Sequence, residues 1–135
     1  MKIEAIPAHP AIVLLRISVA ALLFTHGAAR AFTGGVAPFG EYLDSKGFPY
    51  GVVWAGAITA IELLATPLLV IGRLVVPISA YFIFQLALGI FMVHWTQGWF
   101  VVGLGRNGME YSALLILCFA SLLLSHWKNT PRNRQ

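Results

Sequence analysis

AIVLLRISVAALLFTHGAARAF, residues 11–32, is the stretch on which the reading of this chain turns. At about 1.5 Å per helical residue it is long enough to cross the roughly 30 Å hydrocarbon core of a bilayer. Yet it carries Arg16, His26 and Arg30. A charged side chain at a helix centre costs about 2.5–3.5 kcal/mol even on the lenient insertion scale, so such residues face protein or a water-filled cavity rather than lipid. A lone anchor offers neither. The segment predicts a helix bundle whose interior is partly polar.

Three further apolar segments, 50–71, 74–95 and 109–127, reach spanning length. With 59% hydrophobic and 10% charged residues in a chain of 135, the composition lies outside that of soluble domains. The expected fold is all-α: an integral membrane four-helix antiparallel bundle, residues 1–135 forming a single transmembrane domain. Arg16 interrupts what would be the apolar region of a secretory signal, so the first helix is expected to be retained. The basic residues are scattered over loops and tail with no patch, which argues against nucleic acid and marks them as topology signals. Lys2, Arg73, Lys128, Arg132 and Arg134 fall on one side and Arg30, Lys46 and Arg106 on the other. This bias places both termini in the cytoplasm. Cys118 stands alone in the fourth helix, leaving no disulfide framework.

The first outer loop, VAPFGEYLDSKGFPYG, repeats Phe39, Tyr42 and Leu43 at helical spacing. A short interfacial helix is expected at about 38–46, lying over the bundle as a lid. The connection around Arg73 is so short that the second and third spans must be antiparallel neighbours.

Glu62 and Glu110 join Arg16 and Arg30 as ionisable residues within or at the edge of spans. On a helical wheel Arg16, Gly27 and Arg30 share one face with His26 at its margin, Thr59, Glu62 and Thr66 share another, and Asn107 and Glu110 a third. Counting depth from a common outer boundary puts His26 at about 7 Å and Glu110 at about 5 Å, with Glu62 and Arg16 at about 18 and 22 Å. Two layers follow. The deeper one is expected to be a structural Arg16–Glu62 ion pair. The outer one brings His26 and Glu110 together as candidate catalytic groups, with Asn107 and Arg30 as ligand-binding neighbours. Gln85 is expected to make an interhelical hydrogen bond. His94 lies about 180° from Gln85 on an ideal wheel, so it either turns inward where the helix ends or faces the interface, and a haem held between His26 and His94 is disfavoured.

The segments LLRISVAALLFTHGAARAF, ELLATPLLVIGR, HWTQGWF and NGMEYSALLILC, in this order, resemble the DoxX family of small bacterial membrane proteins. The resemblance matches Arg16, then His26, Gly27 and Arg30, then Glu62, Arg73 and His94, and finally Gly108, Glu110 and Tyr111. Arg30 stands where Lys is usual, and Leu64 and Ala65 replace two glycines that commonly follow the Glu. The family takes its name from a subunit associated with thiosulfate:quinone oxidoreductase. The resemblance therefore implies an inner-membrane subunit of a quinone-linked redox complex, and it adds His94 and Tyr111 to the ligand-binding residues. A quinone or similar apolar small molecule is the expected ligand, with no covalently bound cofactor and no metal, and a soluble or membrane redox protein is the expected partner. A non-catalytic adaptor that recruits or stabilises such a partner is the alternative.

Overall fold

The computed structural model describes residues 9–103 and 106–127. Lys2, Lys128, Arg132 and Arg134, on which much of the orientation argument rests, lie outside the described residues. Helix α1 spans Pro10–Phe32, α2 Val36–Ser45, α3 Gly51–Val70, α4 Val75–Gly89 and α5 Glu110–Trp127. A π-helical turn, Ile90–His94, and a 3-10 turn, Trp95–Gln97, prolong α4. Four of these helical stretches, Pro10–Phe32, Gly51–Val70, Val75–Gln97 and Glu110–Trp127, are long and apolar enough to cross a membrane.

Local chemistry sets the boundaries. Pro10 opens α1, where its missing N–H breaks no bond, and His9 accepts from Ala11 N at 3.2 Å. Gly34, at a positive φ of 73°, turns the chain away after Phe32. Helix α3 continues through Pro67 to Val70 and ends in a turn where Arg73 N donates to Leu68 O at 2.8 Å. That tight return makes α3 and α4 antiparallel, as the short connection required.

Helix α1 packs along α3 and α4 along α5, and α2 lies across the start of α3. The α2–α3 crossing is very close. A Cβ on Gly51 would sit 1.9 Å from Gly40 O, so only glycine fits there. Asp44 Oδ1 accepts from Gly51 N at 2.9 Å, satisfying one of the orphan donors at the α3 N-terminus. Helix α2 begins two residues before the expected 38–46 segment and is fastened to α3 by this crossing and the Asp44 bond.

Buried Val19, Ala20 and Leu23 of α1 meet Leu69 of α3, Phe82 of α4 and Phe119 and Leu122 of α5. The rings of Phe82 and Phe119 lie 5.2 Å apart. This apolar core fills the half of the bundle nearer the α3–α4 turn. Cys118 packs against it as a small apolar residue.

Candidate functional site

The half of the bundle beneath α2 is hollow. A cavity of about 570 Å³ lies among α1, α2, α3, the α4 extension and the start of α5. Its centre is built on Glu62, which is 1% exposed. Gly27 makes this possible, because a Cβ there would come within 2.9 Å of Glu62 Cβ. With glycine, α1 and α3 approach at that level. Arg30, one turn further along α1, then bends back so that Nη1 donates to Glu62 Oε2 at 3.1 Å and to Thr59 Oγ1 at 3.0 Å. Gln85 Nε2 donates to the other carboxylate oxygen at 2.6 Å. A carboxylate excluded from water needs such partners, and here both oxygens have one. Gln85 Oε1 is left buried without a donor.

The ion pair differs from the expected one. Glu62 is held by Arg30, not by Arg16. The depth count assumed one boundary for all helices, but Glu62 is eleven residues into α3 and touches a residue five from the end of α1. The helices are staggered by about 9 Å, which lifts Glu62 to the level of Gly27 and within reach of Arg30 one turn on. Arg16 serves the other end: its Nη2 donates to Val70 O at 3.3 Å, capping the carbonyl end of α3, and its guanidinium lies against Gly72.

The outer cluster is also rearranged. His26 and Asn107 line the cavity as expected, together with His94 and Tyr111. No hydrogen bond joins His26 to Glu110. Glu110 Oε1 instead accepts from Val101 N at 2.8 Å and Val102 N at 3.0 Å, and its own N–H donates to Trp99 O at 3.0 Å. The same depth therefore did not mean the same direction, since the loop before α5 offers free amides nearer to the carboxylate. Gly108 leaves room for this knot, for a Cβ there would lie 2.5 Å from Trp99 O and from Phe100 O. His26 bonds none of the described residues.

His94 lines the same cavity as Gln85, which the ideal wheel forbids. The π turn supplies the reason, because one residue beyond the α-helical count rotates all that follows. His94 Nδ1 meets the backbone carbonyl of Asn107 at 2.8 Å. A carbonyl only accepts, so Nδ1 donates and Nε2 remains open.

Two side chains of α2 close the site. The Phe39 ring covers Arg30, with Cζ 4.6 Å from its centroid, and Tyr42 Oη donates to Met92 O in the π turn at 2.8 Å. Leu23, Phe84, Leu86 and Leu115 give apolar walls, while Tyr81, beside Gln85 in the wall, contributes a hydroxyl that bonds none of the described residues. The arrangement is a mostly apolar chamber with one charged, hydrogen-bonding wall, of a volume suited to a small molecule. Among the described residues no group of three or more His, Cys, Asp or Glu is placed to hold a metal ion.

Sequence reasoning named Glu62, Arg30, His26, Asn107, His94 and Tyr111, and Gln85 as a hydrogen-bonding residue. It assigned no part to Thr59 as a ligand of Arg30 or to Asp44 as the cap of α3. Thr59 carried a signal, since it shares the wheel stripe of Glu62; Asp44 carried none before α2 was placed.

A family model described as DoxX matches residues 11–95. The match takes in α1 to the π turn, including Arg30, Glu62, Gln85 and His94, and stops short of Glu110. No curated protein and no solved structure matches the chain.

Proposed function

The chain belongs to the DoxX family of membrane proteins, and on that premise we propose that it is the membrane subunit of a quinone-linked redox complex whose cavity holds the quinone headgroup. One observation carries the reading: the Arg30–Glu62–Gln85 centre stands in the wall of an otherwise apolar 570 Å³ chamber within the spanning region. A quinone ring requires hydrogen-bond donors for its carbonyls, apolar surroundings for the ring and a path for its tail. Arg30 and Tyr81 supply donors, and Leu23, Phe84 and Leu115 supply walls. Reduction of a quinone to a quinol consumes two electrons and two protons. The electrons come from a partner redox protein, and His26, which lines the cavity and bonds none of the described residues, is the group that passes protons to the ring. Glu110 takes no part beyond anchoring the loop.

The reading places the chain in the bacterial inner membrane with α2 and the cavity toward the outer face and both termini cytoplasmic. The test is quinone binding by the purified protein, read from quenching of the tryptophan emission, since Trp54 lines the cavity. Arg30→Met with Glu62→Met should weaken binding at least about tenfold, roughly 1.4 kcal/mol. Undiminished binding by that variant removes the site. Full activity of the redox complex with the cavity so altered supports the adaptor role instead.

A further inference from the structure

The charged wall of the cavity is unevenly used. An arginine has five N–H donors. The Nη1 nitrogen of Arg30 is committed to Thr59 and Glu62, whereas Nε and Nη2 bond no described residue. Neither is among the buried side-chain nitrogens left without a partner, and the side chain that carries them is 16% exposed and lines the cavity. The Nε–Nη2 edge is the fork that donates two parallel hydrogen bonds to two neighbouring oxygens.

Charge decides what carries those oxygens. Glu62 already neutralises Arg30 at 3.1 Å. A carboxylate or other anion on the free edge would leave a net negative charge in an apolar chamber, which desolvation opposes. A neutral group with two adjacent acceptors meets the fork without that penalty. Resting on the quinone reading above, we propose that the site selects a benzoquinone bearing an alkoxy group beside the ring carbonyl, the carbonyl and alkoxy oxygens together taking the free edge of Arg30. A quinone whose carbonyl is flanked by methyl groups, or by a fused hydrocarbon ring, offers one oxygen and leaves half the fork empty.

The experiment compares two decyl-tailed quinones, one dimethoxy-substituted and one dimethyl-substituted, with decanoate as an anionic control, binding to the purified full chain and to Arg30→Lys. In the wild type the dimethoxy compound should bind about tenfold tighter, as expected for one further hydrogen bond to a charged donor. Lysine keeps the charge opposite Glu62 but lacks the fork, so the preference should shrink below about threefold. Equal affinity for the two quinones in the wild type overturns the inference and leaves the quinone reading intact; this arm needs no variant to fold. A preference that persists in a folded Arg30→Lys overturns it too. Tighter binding of decanoate than of either quinone refutes the neutral headgroup, and binding of neither quinone refutes the site's quinone role altogether.

Discussion

The same four spans make two unlike halves. Toward the α3–α4 turn, Phe82, Phe119, Leu69 and Leu122 close the bundle completely. Beneath α2 the helices enclose a chamber with an ion pair in its wall. Hydropathy does not separate the halves, because it averages over all faces of a helix. What separates them is the size and polarity of the inward positions. Gly27, Ala55 and Thr59 let α1 and α3 draw together, and no large apolar side chain from these positions crosses to α4 and α5. Where inward residues are large the bundle fills; where they are small and polar it stays open, and the polar groups bond one another.

If the open half is held by its ion pair and the closed half by packing, the two should respond differently to change. The largest loss is expected from Arg30→Met alone, about 3–5 kcal/mol, because Glu62 is then buried without its cation; Arg30→Met with Glu62→Met should recover much of it. Unfolding in a mild detergent series measures both, and additive losses would show that the pair is not a unit. Phe119→Ala should cost about 2–3 kcal/mol, at or below the range for soluble cores, since packing is lost but little transfer free energy. Ligand binding should be unaltered by it, and a change there would mean that the halves are coupled. Tyr42→Phe removes the bond to Met92 O and should cost about 1 kcal/mol while speeding ligand exchange, measured by stopped-flow quenching. Smallest of all, Glu110→Gln should leave global stability and ligand affinity almost unchanged and raise hydrogen exchange at the Val101 and Val102 amides. Loss of ligand binding in that variant would return Glu110 to the site.

The four spans were legible because their length and composition admit few other folds: 11–32, 50–71 and 109–127 each differ from the observed helices by a residue or so at either end. The third differs for a physical reason, since the π and 3-10 turns carry it on to Gln97. The site was legible as a set of residues but not as pairs. Glu62 had to be partnered, yet which arginine reached it depended on the stagger of α3, fixed by the Gly40–Gly51 crossing that no helical wheel contains. His94 depended on a change of helical count at Ile90, and Glu110 on loop amides whose position follows from the closing of a turn. Each is a tertiary choice between alternatives that local sequence leaves equal.

The π turn at Ile90–His94 also bears on how this protein tolerates changes in length. A helix that already accommodates one residue beyond its count is a place where a deletion costs no loop and no core side chain. Removing one residue between Ile90 and Val93 would restore the ordinary helical count, swing His94 by about 100° out of the chamber, part it from the Asn107 carbonyl and withdraw the carbonyl that Tyr42 holds. Such a shortened chain would keep its spans and its ion pair yet lose the groups that join α2 and the last loop to the site. A single codon thus separates a closed chamber from an open one on the same scaffold.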